Sequence, residues 1–436
     1  MEKEKIKVAL VCHFSNEEIR SQLHLRDLRG INFIRRILGK NEKSYYDFAP
    51  WINNILYQCH SFPELDVHVI APHQGMITRN VEFDKDGITY HFYQSKPSDL
   101  FVYGDDVFFG GKHITYQSNR RFVERVIKTI FPDIIVLVGT ENPYYSGTVL
   151  NIENIPLLVL CQTVYNNPEF EEGYRRAVYT RRSEIERQLF NKTCYFGVYN
   201  EKHKKLLREN GYQGYIFEFN WPSGAPSKPP SAIEKKYDFV NFANGMSWNK
   251  GYHDCVIALS IVKNTHPSVK LALIDKGPFS VKKELLELIN KYNLKDNVTF
   301  IPFFEKKSDL YQFLMSVRFA VLPCKVDHVS GTMHQAMGRG LPTVVYETTG
   351  TPLLNKKNHC VLIAKMNDVD DLAKNMLALM DNEQLALELS NNSVNYMKEY
   401  RKNNENRMEQ LIREIRAVID NYYSGKPIPS DLIYSE

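Results

Sequence analysis

The stretch from Leu322 to Val345 concentrates the residues whose types and spacing could do chemistry. A short apolar run ends at Leu322, and the loop after it holds Asp327 and His328. Ser330-Gly331-Thr332 then opens a helical pattern that stops at Gly340-Leu341-Pro342. A Ser or Thr at a helix start caps it, and Gly331 permits close backbone approach. The exposed N–H groups of such a first turn, with the helix dipole behind them, suit a phosphate. On spacing alone the same residues also describe an ordinary capped helix between two strands. A second candidate is Phe242 to Gly251, where Lys250 stands just before a helical pattern. A lysine there is either a solvated side chain or the counter-charge to an anion. In the first half, the run ending at Cys12 delivers His13 and Asn16, with Ser15 between them. Glu141 follows the run Ile134 to Val138, and Gln162 follows Leu157 to Cys161. Polar residues just past a strand are either site residues or loop structure. Asp47-Phe48-Ala49-Pro50-Trp51 reads as a helix start with Pro in the first turn, and Trp51 either lines a pocket or anchors a core.

Behind these residues lies an alternation of short apolar strands and longer amphipathic stretches, which implies parallel sheets covered on both faces. Ile6 to Cys12 opens one such series and Tyr237 to Ala243 opens another. Between them, Trp221 to Ser231 is the richest Pro, Ser and Gly stretch in the chain, so it reads as a linker. The expected fold class is α/β, with two doubly wound parallel-sheet, Rossmann-like domains. Residues 1–220 form the first, 221–234 the linker and 235–403 the second, and a helical tail at 404–436 rejoins the first domain. Ligands of such domains bind at the carboxyl ends of the strands, so facing domains would create one cleft.

Two features outside that plan bear on function. Asp84-Lys85-Asp86-Gly87 is the one Asp-x-Asp candidate before the linker, and its Gly makes it a hairpin signal rather than a metal site. Arg26, Arg29, Arg35, Arg36 and Lys40 accompany Leu25, Leu28, Ile31, Phe33, Ile34, Ile37 and Leu38. That pattern is either a solvated helix with one buried face or a helix lying on an anionic membrane.

Composition narrows the class. The 436 residues carry 55 Lys plus Arg against 51 Asp plus Glu, a net charge of +4, which gives no ground for nucleic-acid binding. The seven cysteines are scattered with no C-x-x-C, which argues against zinc and a disulfide framework. A charged start running straight into a strand reads as no signal peptide, and apolar runs are far short of the ~20 residues of a membrane span. The expectation is a cytoplasmic protein, with possible peripheral contact at the inner face of the cell membrane. Neither first strand is followed by Gly-x-Gly-x-x-Gly, which disfavours a dehydrogenase.

Gln335-Ala336-Met337-Gly338-Arg339-Gly340-Leu341-Pro342 resembles the donor-binding loop of retaining GT-B glycosyltransferases of family four, the glycosyl transferases group 1. The family pattern is Glu, seven residues, Glu, then Ala-Met and Gly-x-Pro; here the two carboxylate positions are Asp327 and Gln335. The resemblance implies that Asp327 contacts the donor sugar and that Gln335 hydrogen-bonds the nucleotide ribose. Phe242 to Gly251 resembles the family loop in which an Arg and a Lys hold the donor diphosphate; Lys250 keeps the Lys, whereas Gly245 stands at the Arg. Lys325, His328 and Arg339 are the candidates to replace the missing cation, and Ser330, Gly331 and Thr332 complete the diphosphate site. Leu271 to Pro278 sits where the family has its Gly-x-Gly-Pro turn, and Phe303 stands where the base is held. His13, Asn16, Trp51, Glu141 and Gln162 are the acceptor-side candidates.

The resemblance thus implies a GT-B enzyme that moves a sugar from a nucleotide-diphosphate sugar to a glycan or polyprenyl-linked acceptor in bacterial polysaccharide assembly. It implies retention of configuration and needs no metal or other cofactor, because Lys250 and the helix start can carry the developing charge. A sugar-nucleotide epimerase on the same fold, or an inactive nucleotide-sugar-binding protein, are the rival readings.

Overall fold

A computed structural model of the chain describes residues 5–37, 43–97, 101–102, 105, 108–110, 113–168, 176–222, 234–325 and 329–434. Residues 1–27, 45–225 and 403–436 form one compact unit, and residues 28–44 and 226–402 form another.

The first unit is built on eight strands: β1 (Ile6–Val11), β2 (Leu65–Pro72), β3 (Asn80–Lys85), β4 (Ile88–Tyr93), β5 (Ile134–Val138), β6 (Leu157–Leu160), β7 (Tyr195–Val198) and β8 (Tyr215–Glu218). Their order is β3-β4-β2-β1-β5-β6-β7-β8, parallel except for the edge pair β3–β4. That pair is the expected hairpin: Asp86 and Gly87 both take positive φ (52° and 73°), as a tight two-residue turn demands. β5 and β6 are buried on both faces, which is why they read as unbroken apolar runs. Val8 and Leu10 face the layer containing α3 (Pro50–Cys59) and the C-terminal helix α15 (Asn404–Ser424). Ala9 and Val11 face the layer containing α4 (Gln117–Ile130) and α6 (Arg176–Lys192). The apolar stripe of α15, Met408, Leu411, Ile412, Ile415 and Val418, belongs to the first of these cores. Three short helices complete the unit: α1 (Glu17–Gln22), α5 (Pro143–Ser146) and α7 (Glu201–Glu209).

The second unit holds six parallel strands: β9 (Tyr237–Asn241), β10 (Leu271–Asp275), β11 (Val298–Pro302), β12 (Val317–Leu322), β13 (Thr343–Tyr346) and β14 (Leu362–Ala364). Their order, β11-β10-β9-β12-β13-β14, is that of a dinucleotide-binding sheet, with the chain reversing direction across β9 and β12. The connecting helices are α8 (Tyr252–Val262), α9 (Phe279–Lys291), α10 (Lys307–Leu314), α11 (Gly331–Gly338), α12 (Thr351–Leu354), α13 (Val369–Asp381) and α14 (Glu383–Lys402). α8 is apolar nearly all round and sits in the middle of the core.

Four readings need correction or completion. The basic stretch is not one helix: Leu25 pairs with Met76 in an isolated bridge, and α2 spans only Arg29–Ile37. It has no buried face either, since none of its residues is buried and Phe33, Ile34 and Ile37 are exposed. Leu38 and Lys40 lie outside the described residues. The helix near Asp47 begins at Pro50 with Ala49 as its left-handed N-cap, and Asp47 instead pairs with Arg20 at 2.9 Å. Residues 223–233 of the expected linker lie outside the described residues, while Trp221 packs edge-on against Phe219 and Trp51. All seven cysteines are free thiols.

Candidate functional site

In the second unit the site is a set of loops at the carboxyl ends of β9, β10 and β12. Asn241, buried at the end of β9, shapes the first of them. Its side-chain oxygen accepts from the Ala243 N–H (3.0 Å) and its amide donates to the Lys250 carbonyl (3.2 Å). Lys250 therefore stands at the end of a 3-10 turn, Trp248–Lys250, whose base is tied down from within the sheet. Gly251 follows in the left-handed conformation, φ 69°, and hands the chain to α8. Trp248 stacks on His253 (ring centroids 3.9 Å apart, planes at 7°), and both reach Glu284, through Trp248 Nε1 at 3.3 Å and His253 Nε2 at 3.1 Å. Burial holds His253 below the usual imidazole range, opposed by Glu284.

The loop after β12 is stitched to this one. The Lys325 N–H donates to the Asn249 carbonyl at 2.9 Å, and Pro323 lies against Gly251. The Lys325 ammonium is ion-paired at 2.9 Å with buried Asp254, which also accepts from the Tyr346 hydroxyl at 2.8 Å. Asp327 and His328 lie outside the described residues. α11 begins as expected: Ser330 is its N-cap, with the side-chain oxygen accepting from the Met333 N–H at 3.2 Å. Met333, Ala336 and Met337 are buried. Gly331, Thr332 and Gln335 lie off that face. Gln335 stands one turn beyond Gly331, over a backbone position with nothing within 4 Å of where a Cβ would be. That leaves the Gly331 and Thr332 N–H groups and the Gln335 amide off the buried face, an arrangement able to hold an anion and a hydroxyl.

Two of the proposed substitute cations are committed elsewhere. Arg339 lies at the opposite end of α11, its guanidinium 3.7 Å over the Tyr311 ring and held below its ordinary range by burial. Lys325 is neutralised by Asp254. Gly245 takes φ 89°, and the place a side chain would occupy there is open. Phe303 sits beneath the Lys276 ammonium, 4.0 Å from ring centre to nitrogen.

In the first unit, polar residues gather at the carboxyl ends of β1, β2, β5 and β6. His13 is enclosed by Phe48, Tyr144 and Tyr145, and its Nδ1 shares a 2.8 Å hydrogen bond with the Tyr144 hydroxyl. Burial and the nearby His73 press His13 down to about 3, so it is neutral at physiological pH. His73 is held at about 4 by burial, with Arg20 contributing. Glu141 folds back over Gly139 (φ 86°), where a Cβ would lie 1.9 Å from its carboxylate, and it accepts from the Tyr145 hydroxyl at 2.6 Å. Burial pushes Glu141 above the usual carboxylate range, opposed by that hydrogen bond. A half-buried neutral imidazole beside tyrosines and a carboxyl can hydrogen-bond hydroxyls.

Asn16 and Trp51 are used structurally. Asn16 caps α1, accepting from the Ile19 N–H, and donates to Asn53, so its polar atoms are spent on the fold. Trp51 packs on Trp221. Gln162 is half-buried after β6. Glu186 on α6, which the sequence reading passed over, organises these loops. It is fully buried and accepts from the Thr140 hydroxyl (2.8 Å), the Tyr165 and Asn166 N–H groups (3.0 and 2.7 Å) and the Asn166 amide (2.8 Å). One turn earlier, Arg182 donates to the Asn142 side chain at 2.9 Å and to the Tyr165 hydroxyl at 3.0 Å. A Glu among polar neighbours on a long helix gives no local signal of burial; Asn241 and Asp254, polar positions inside apolar runs, do.

Two doubly wound parallel-sheet domains of this order make the GT-B fold. Residues 225–397, all but the first within the second unit, match the sequence model of the family described as Glycosyl transferases group 1. An uncharacterized glycosyltransferase of Bacillus subtilis strain 168, YqgM, is 32% identical over 101 residues, which cover 23% of this chain and 27% of that protein. The chain spans less than half the length of the curated relatives it matches. Among solved structures, sucrose-phosphate synthase from Thermosynechococcus elongatus superposes with a TM-score of 0.65 at 14% identity, covering 95% of this chain and all of that one. Anabaena HepE in complex with UDP and glucose gives 0.60 at 13% identity, covering 94% and 98%. At such identities the likeness establishes the fold.

Among the described residues no group of three or more His, Cys, Asp or Glu side chains could hold a metal ion, and no helix is long and apolar enough to cross a membrane.

Proposed function

We propose that the chain is a glycosyltransferase that moves a sugar from a nucleoside-diphosphate sugar to a glycan or polyprenyl-linked acceptor, with retention of configuration. The observation that carries this reading is Lys250. It stands at the switch of a six-stranded parallel sheet, on a loop fastened to Asn241 and to the β12 loop that leads to the capped start of α11. A leaving diphosphate there meets one fixed cation and the N–H groups of a helix start, which act on charge as it develops. Gln335 is assigned to the ribose, Asp327 to the donor sugar, and Thr332 and Gly331 to the phosphate oxygens. No metal is assigned. The transition state is oxocarbenium-like, and no side chain is assigned as nucleophile. The UDP and glucose bound by the HepE structure support a nucleotide-sugar donor. His13, with Tyr144 and Glu141, is assigned to acceptor hydroxyls.

The proposal extends to a membrane surface on the cytoplasmic side. Exposed Phe33, Ile34 and Ile37 on α2, together with Arg29, Arg35 and Arg36, support contact with anionic lipid.

The test is a thermal-shift screen against UDP-, GDP- and ADP-sugars, followed by a nucleotide-release assay. Stabilisation by a donor, with release of nucleoside diphosphate only when an acceptor is added, is the expected result. Conversion of the donor sugar without an acceptor supports an epimerase instead. No stabilisation by any donor defeats the proposal.

A further inference from the structure

Three neighbouring strands of the second unit, β10, β9 and β12, each lead at their carboxyl ends to a lysine: Lys276, Lys250 and Lys325. Lys325 is held by Asp254, and Lys250 carries the role argued above. Lys276 follows β10 directly. Its carbonyl accepts from the Met246 N–H at 2.7 Å, which fastens it to the loop containing Gly245. A Cβ on the following Gly277 would lie 2.6 Å from the Met246 Cβ, so the two loops run in contact with no room between them. The Lys276 side chain is half-buried with its ammonium over the face of Phe303. Burial lowers it to about 7, so near neutral pH the amine is only about half protonated, and an adjacent anion would restore its full charge. Next to Met246, the bare backbone of Gly245 leaves the adjoining space open.

A poorly solvated ammonium on an aromatic face gains from a multivalent anion, because both partners have already lost much of their water there. We propose that Lys276 is the second cation of the donor diphosphate site, acting with Lys250 across the open position at Gly245, with Phe303 as the platform that holds its stem. This rests on the nucleoside-diphosphate reading above. It assigns Phe303 to the lysine rather than to the nucleotide base.

The experiment is calorimetric titration of the full chain at pH 7.0 with UDP, GDP and ADP, for the wild type and for Lys276→Met, Lys276→Gln and Lys276→Arg. Met keeps the apolar stem and Gln keeps a hydrogen-bond donor, so one serves if the other does not fold. For whichever nucleotide the wild type binds best, Met and Gln are expected to weaken binding at least tenfold, with Arg within about threefold of wild type. The dependence of log Kd on log salt should become shallower in both neutral variants, which a purely structural loss would not produce. Unchanged affinity in folded Met and Gln variants overturns the assignment of Lys276 and leaves the donor reading intact. A wild type that binds none of the three nucleotides overturns both.

Discussion

Gly251 lies directly against Pro323: a Cβ on Gly251 would fall 2.3 Å from the Pro323 carbonyl oxygen, and the residue takes φ 69°. The contact joins the loop that carries Lys250 to the one that leads into α11, two segments some seventy residues apart in the chain. Alanine there would both strain the backbone and force the loops apart against a carbonyl that cannot rotate away. Gly251→Ala is expected to cost about 2–4 kcal/mol, the sum of a left-handed penalty and overpacking. Urea unfolding measures it, and a loss under 1 kcal/mol would mean that the loops are free to separate.

Lys250→Ala removes a charge from a loop whose backbone is held by Asn241, so the fold should survive it. The melting temperature is expected to stay within a few degrees of wild type, while the rate of sugar transfer falls about 100-fold or more. Unchanged turnover would remove Lys250 from the mechanism.

Glu186 receives donors on both carboxylate oxygens, so a glutamine at this position must turn an NH₂ toward an N–H or O–H whichever way it flips. Glu186→Gln is expected to destabilise the first unit by about 1–3 kcal/mol. Hydrogen exchange should quicken first at Thr140 and at Tyr165–Asn166, the segments the carboxylate joins. Uniform quickening across the unit would show that Glu186 contributes only to global stability.

Glu414 on α15 is fully buried; Oε1 accepts from Gln410 at 3.1 Å and Oε2 has no hydrogen-bond partner. Burial pushes its carboxyl well above the usual range. The folded chain therefore keeps a proton that the unfolded chain releases near pH 4.3, and stability falls as pH rises through that window, by up to about 1.4 kcal/mol per unit. Glu414→Gln removes this term. The variant should match wild type within about 1 kcal/mol at pH 5 and exceed it increasingly toward pH 8 in urea titrations. Parallel pH profiles would show that Glu414 is ionised in the fold.

Much of the architecture was legible because it is local. β5 and β6 are unbroken apolar runs, and β12 is one from Phe319 to Leu322, since parallel strands covered on both faces need apolar side chains at their buried positions. The edge strand β3 was harder to see: only one face is covered and none of its residues is fully buried. The short outer strands β8 and β14, of four and three residues, carry too little pattern. The start of α11 was visible in Ser330 and Gly331, because a cap is made by residues three apart.

What the sequence by itself determined is therefore the two sheets, the break between them and the loops at their carboxyl ends that bear Lys250, Ser330 and Gln335. Tertiary structure alone decided which side chains meet there. Lys325 is spent on Asp254, Arg339 on Tyr311, and Lys276 stands over Phe303 beside the open place at Gly245. Those pairings follow from strand order, which brings β10, β9 and β12 side by side although the chain visits them far apart. Spacing along a sequence encodes neighbours within one helix or strand; neighbours across a sheet exist only once the sheet has assembled.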